Sequence, residues 1–139
     1  MALRTETITL PSLLLSKAAD YSQLVKMRLT LLVLFSAVAG YFLGVETFSW
    51  TDLFFLITGG FLVTGSSNAF NQVIEKDTDK LMLRTADRPL PTGRMSITEA
   101  FTLAALMGIS GVIILWFFLN PLSGLLGSLA LLIYVAIYT

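Results

Sequence analysis

Four stretches of the chain carry no charged side chain and read as nearly unbroken apolar sequence: Leu29–Val45, Leu53–Phe70, Ala100–Leu119 and Leu122–Tyr138, of 17, 18, 20 and 17 residues. A helix rises about 1.5 Å per residue, so about 17–25 residues cross a hydrocarbon core of about 30 Å. The pattern predicts an all-α, polytopic transmembrane bundle with four helices in this chain. Buried helices of a large soluble protein give similar runs, but 139 residues hold too little polar sequence to cover four of them. Local signals mark the boundaries. Ser96 with Glu99 spells a capping box ahead of the third run, and Asn120 before Pro121 is an N-cap followed by a helix-compatible proline. Pro89 and Pro91 interrupt any continuous helix in the connection before them. The apolar stretch Leu13–Leu15 is too short for a secretory signal, and Glu6 and Asp20 argue against an organellar transit peptide. The sequence stops at Thr139, at the end of the last run and without a polar tail, which predicts that these helices are the N-terminal part of a larger bundle.

Composition narrows the chemistry. Hydrophobic residues make up 55% of the chain and charged residues 13%, against about 25% charged in a soluble domain, so the balance is not that of a soluble enzyme. Nine basic and nine acidic residues cancel, leaving no basic field for nucleic acid. Without cysteine there is no disulfide, thiolate metal site or thiol nucleophile, and without histidine the commonest general base and haem ligand are missing. Arg4, Lys17, Lys26 and Arg28 precede the first run, and Lys76, Lys80, Arg84, Arg88 and Arg94 lie between the second and third. With alternating helices all nine fall on one side, so the positive-inside rule places the N-terminus and the 76–99 loop in the cytoplasm. Tyr41, Trp50 and Trp116 fall near the opposite interface, where aromatic belts form. Residues 1–24 then read as a cytoplasmic N-terminal segment and 25–139 as the membrane domain, with its cytoplasmic loop at 76–99.

Polar residues inside a membrane helix are the informative exceptions. Thr64, Asn68, Asn71, Glu75 and Asp79 are spaced by three or four residues, so at about 100° per residue they share one helical face. Thr64, Ser66, Ser67 and Asn68 read as helix-packing residues. Asn71, Glu75 and Asp79 read as hard oxygen ligands suited to Mg²⁺, with room left for water and the phosphate oxygens of a substrate. Asp77 points about 120° away from Asn71 and ranks behind them as a ligand. Lys80, Arg84 and Arg88, with Lys26 and Arg28 from the foot of the first helix, converge on the same face of the membrane and predict a phosphate site. Gly59, Gly60, Gly65, Gly108 and Gly111 permit close helix packing without saying which helices meet.

The string from Asn71 to Arg94, with Asn71, Glu75 and Asp79 in an Asn-x-x-x-Asp-x-x-x-Asp pattern and Arg84-Thr85, Arg88-Pro89 and Pro91-Thr-Gly93-Arg94 after it, resembles the intramembrane (UbiA-type) prenyltransferase superfamily. Within it, this string and the stretch from Val25 to Gly44 are similar to the protoheme IX farnesyltransferase, or haem O synthase, branch. The resemblance covers roughly residues 20 to 139. It implies transfer of a farnesyl group from farnesyl diphosphate to a vinyl group of haem b with addition of water. Asn71, Glu75 and Asp79 would hold Mg²⁺ as the catalytic set, and Lys26, Arg28, Lys80, Arg84 and Arg88 would bind the diphosphate. The location implied is a bacterial inner membrane. Glu75 stands where the family has aspartate, and Met27 replaces a proline, which predicts a straighter path into the first helix. At Tyr138-Thr139 the family continues into a second half. Other readings are a quinone-precursor acceptor, a cation or solute transporter, and a non-catalytic assembly subunit. A transport path needs polar groups through the whole bilayer, whereas the acids here gather at one end.

Overall fold

The structure, a computed structural model, describes residues 10–137. Five helices follow one another: α1 (Leu10–Leu24), α2 (Met27–Gly44), α3 (Trp50–Asp79), α4 (Ile97–Ile113) and α5 (Pro121–Ile137). A π-helical segment, Ile114–Leu119, prolongs α4. Met27–Gly44, Trp50–Asp79 and Ile97–Leu119 are each long and apolar enough to cross a membrane, and α5 is a shorter apolar helix of 17 residues. The all-α membrane bundle expected from the apolar runs is therefore present. Arg4, Glu6, Tyr138 and Thr139 lie outside the described residues.

Helix α3 is the rod on which the others are hung. Ser49 caps its start by accepting from the Asp52 N–H at 3.3 Å. Its 30 residues span about 45 Å, longer than the hydrocarbon core, so its last turns project from the apolar zone with their carboxylates. It packs on α4 through small residues. The Ser66 hydroxyl donates to Ala104 O at 2.6 Å, and Gly108 lies against Ser66 while Gly111 lies against Leu62 and Val63. Of the glycines noted in the sequence, Gly65, Gly108 and Gly111 lie in the α3–α4 seam, with Gly65 against Met107, while Gly59 lies against Leu115 of the π-helical segment and Gly60 against Leu34 of α2. Ser67, also buried, instead bonds back to Val63 O at 3.0 Å within α3 itself.

Both boundary signals hold: Ser96 Oγ accepts from the Glu99 N–H at 3.1 Å, and Asn120 Oδ1 accepts from the Ser123 N–H at 2.8 Å. Glu99 does not close the box reciprocally. Its carboxylate instead accepts from the Tyr21 hydroxyl at 2.6 Å and the Lys17 ammonium at 3.2 Å. At the end of the bundle away from the basic residues, Tyr41, Phe42, Phe48 and Trp50 form a cluster of rings with centroids 4.8–6.0 Å apart.

One expectation needs correction, and one segment gains detail. Much of the N-terminal segment is a helix, α1, bound along the charged end of the bundle through Lys17, Asp20, Tyr21 and Gln23. The path into α2 is not straight, because Lys26 takes a left-handed conformation (φ 51°, ψ 64°) that breaks the helix between α1 and α2. The fully buried core sits at this same end, where Leu24 of α1, Ala69 of α3, Leu90 and Met95 of the connecting loop, and Ala100 and Ala104 of α4 meet.

Candidate functional site

The chain from Lys80 to Ser96 folds as a series of turns over the end of α3. Thr85, 3% exposed, donates to Asp79 O at 3.0 Å and so ties the loop back to the last helical turn. Gly93 takes φ +79°, which glycine permits at no steric cost. Beside it the Arg94 guanidinium donates to Asp20 Oδ1 at 2.9 Å, Gln23 Oε1 at 3.1 Å and Asp87 O at 2.6 Å, strapping the loop to α1.

This folding brings opposite charges together. Arg88 Nη1 lies 3.0 Å from Asp79 Oδ2 and 3.9 Å from Glu75 Oε2. Two clefts open around them. The larger, of about 890 Å³, is lined by Lys26, Arg28, Arg84 and Arg88 with Ser22, Gln23 and apolar residues from the foot of α2. The smaller, of about 390 Å³, is lined by Glu75, Asp79, Thr78 and Thr85 and again by Arg84 and Arg88. The two arginines therefore form a shared wall between a cation-lined space and a carboxylate-lined one. Burial holds the Lys26 ammonium below the usual lysine pKa, and the Arg88 charge lowers it further.

Of the residues singled out in the sequence, Glu75, Asp79, Lys26, Arg28, Arg84 and Arg88 meet here. Lys80 does not: it is exposed and lines neither cleft, because the chain turns away directly after the helix. Asp77 is also set apart, its side chain 80% exposed and paired with Lys76 at 3.2 Å, as its position off the stripe requires. Asn71 is 3% exposed and lines neither cleft, and its Oδ1 has no hydrogen-bond partner. Among the described residues no three of His, Cys, Asp and Glu form a cluster able to hold a metal ion. Asn71, Glu75 and Asp79 stand on successive turns of α3, with Glu75 and Asp79 on the carboxylate-lined cleft, the Asp79 carboxylate engaged by Arg88, and Asn71 buried away from it. Sequence reasoning did not single out Gln72, whose signal was a long polar side chain beside the membrane stripe, and it read Arg94 only as one of the loop's basic residues and as part of the motif, not as the strap to α1.

Residues 33–139 match the UbiA prenyltransferase family. The chain belongs to this family. Among its relatives, the protoheme IX farnesyltransferase of Christiangramia forsetii is 46% identical over 121 residues, which is 87% of this chain and 40% of that protein. That of Flavobacterium psychrophilum is 42% identical over 123 residues, or 86% of this chain and 41% of that protein. The mitochondrial protoheme IX farnesyltransferase of Saccharomyces cerevisiae is 42% identical over 119 residues, 86% of this chain and 26% of that one. The chain thus spans about two-fifths of the length of the bacterial relatives. No solved structure matches it at a significant level. As a UbiA-family chain with several membrane-spanning helices, it is a multi-pass membrane protein of a prenyltransferase family.

Proposed function

We propose that this chain forms the N-terminal part of a protoheme IX farnesyltransferase, which transfers the farnesyl group of farnesyl diphosphate to a vinyl carbon of haem b to give haem O. One observation carries the reading: Arg84 and Arg88 line both the cation-lined and the carboxylate-lined cleft, so an anion on one side meets a cation-binding pocket on the other. A prenyl diphosphate bound with its metal has this bipolar requirement.

In this reading Lys26, Arg28, Arg84 and Arg88 hold the diphosphate, and Glu75, Asp79 and Asn71 are the ligands of Mg²⁺. The bound magnesium supplies positive charge that eases departure of the leaving group. The allylic C–O bond breaks with its electron pair leaving on diphosphate, the vinyl group supplies electrons to the farnesyl carbon, and water adds to the resulting cation and loses a proton to solvent. The basic side chains neutralise the charge that develops on the departing oxygens. The apolar helices below the site give the farnesyl tail a water-poor surface. Lys80 and Asp77 have no part in it. Haem is a substrate, and with no histidine in the chain none of its axial ligands is a histidine of these residues. The basic end faces the cytoplasm of a bacterial inner membrane, by the positive-inside rule.

The test is magnesium-dependent release of diphosphate from farnesyl diphosphate in membranes, with and without haem b, and mass analysis of the pigment. It is run on this chain and on a form extended past Thr139 to the relatives' length. A haem heavier by one farnesyl group plus water is the expected product of the extended form. A prenylated quinone precursor with unchanged haem would move the reading to another acceptor, and no diphosphate release from either form would end it.

A further inference from the structure

The last carbonyl groups of a helix have no partner within it. At the end of α1 they are met by two amides one turn apart on α3. Gln72 Nε2 donates to Gln23 O at 2.7 Å and to Leu24 O at 3.1 Å. Asn68 Nδ2 donates to Val25 O and to Thr30 Oγ1, each at 3.0 Å, and Thr30 Oγ1 donates on to Val25 O at 2.7 Å. Both amides are withdrawn from water, Gln72 being 1% and Asn68 2% exposed. The carbonyls of three consecutive residues thus accept from one buried face of α3; Gln23 O also accepts from the Lys26 N–H at 3.2 Å and Val25 O from Thr30, so loss of the Gln72 amide leaves Leu24 O as the desolvated oxygen without that donor.

The residue that follows these carbonyls is Lys26. Among the described residues it is the one non-glycine with positive φ, 51°, a conformation that persists for an L side chain only where its surroundings hold it. Its ammonium lines the larger cleft together with Arg84 and Arg88. The rod that carries Asn68 and Gln72 carries Glu75 and Asp79 on its next two turns. One helix therefore sets the spacing between the cations of the α1–α2 break and the carboxylates of the smaller cleft.

We propose that Asn68 and Gln72 are positioning residues for phosphate binding: by capping the end of α1 they hold Lys26 in its left-handed turn with its ammonium in the anion cleft. The inference rests on the reading of that cleft as a diphosphate site. It gives Asn68 a role beyond helix packing and explains why a glutamine lies buried beside the ligand stripe.

The experiment is a double-mutant cycle on the detergent-purified form extended past Thr139, with inorganic diphosphate and magnesium titrated in a calorimeter. Gln72→Met keeps the side-chain volume but has no donor, and Lys26→Ala removes the ammonium. Each is expected to weaken diphosphate binding about tenfold, the scale of one lost charge-assisted hydrogen bond. The double variant is expected to bind no more weakly than Lys26→Ala, because Gln72 acts through Lys26. Multiplying effects in the double variant, or unchanged binding in Gln72→Met, overturns the inference while leaving the phosphate site standing. Loss of binding by the unsubstituted protein overturns the phosphate site and this inference with it. If Gln72→Met does not accumulate folded, Gln72→Asn, which keeps the amide on a shorter arm, takes its place in the same cycle.

Discussion

The Arg88 guanidinium lies 3.0 Å from the carboxylate of Asp79, whose side chain is only 4% exposed, so loop and helix are joined by a nearly dry ion pair. Truncating one partner of such a pair leaves the other charge buried without compensation, at a cost of about 3–5 kcal/mol. The Arg88 side chain keeps 24% of its exposure, which places the cost toward the lower end. Arg88→Met is therefore expected to destabilise the protein by about 3 kcal/mol. Arg88→Met combined with Asp79→Asn should recover part of that loss. Chemical denaturation in detergent measures both, and an Arg88→Met protein as stable as the unsubstituted one would show that the pair does not hold the loop.

The smaller cleft divides the acids at the end of α3 by position, lined by Glu75 and Asp79 and not by Asp77. Glu75→Ala and Asp79→Ala are each expected to abolish magnesium-dependent turnover in the form extended past Thr139. Asp77→Ala should leave it nearly unchanged, since the Asp77 side chain is 80% exposed and its pair with Lys76 is of the surface kind that contributes little. Diphosphate release assayed across a magnesium series separates these outcomes. Activity retained in Asp79→Ala would remove the carboxylate-lined cleft from the mechanism.

Much of this arrangement could be read from the chain. Uncharged runs located the spanning helices, and the distribution of Lys and Arg gathered the charged groups at one end. Ser96 and Asn120 marked two helix starts because capping is a local interaction, satisfied three residues away. Helix α1 was not legible for the opposite reason. Its polar anchors are Gln72, Arg94 and Glu99, between 48 and 82 residues distant in sequence. The left-handed Lys26 had no local signal either, since neither glycine nor asparagine stands there. Spacing alone placed Asn71 on the same face as Glu75 and Asp79 without revealing that it is buried and lines neither cleft. Lys80 shows the converse: adjacency to Asp79 in sequence put it on the list of phosphate ligands, and the turn that follows α3 takes it away.

Titration of Lys26 gives a pH prediction with a definite sign. Burial first, then Arg88 and Arg84, lower its pKa, while Glu75 and Asp79 oppose the shift. A bound diphosphate brings negative charge and draws the pKa back up toward the ordinary value of about 10.4. Between the lowered and the restored value, binding takes up a proton, so diphosphate affinity falls as pH rises through the lowered pKa. For stability the sign is opposite. In the window between the folded and unfolded pKa values the unfolded chain binds more protons, so folding becomes more favourable as pH rises. Calorimetry in buffers of different ionisation enthalpy, at alkaline pH, measures the uptake. Lys26→Ala should abolish it, and uptake surviving in that variant would assign the proton to another group.

The α3–α4 seam predicts that two glycines in membrane helices respond oppositely to the same substitution. A Cβ on Gly111 would lie 2.8 Å from Val63 Cγ2 and 2.9 Å from both Leu62 Cβ and the Val63 backbone nitrogen, so the helices must move apart to admit it. Gly111→Ala is expected to destabilise by about 1–3 kcal/mol, the range for overpacking a close contact. At Gly40 on α2 a Cβ would meet nothing within 4 Å. There alanine removes only backbone freedom, and Gly40→Ala is expected to stabilise by about 0.5–1 kcal/mol. Thermal or chemical denaturation of the two variants side by side reads the difference. Equal effects would mean that the seam is not what joins the rod carrying Glu75 and Asp79 to the rest of the bundle.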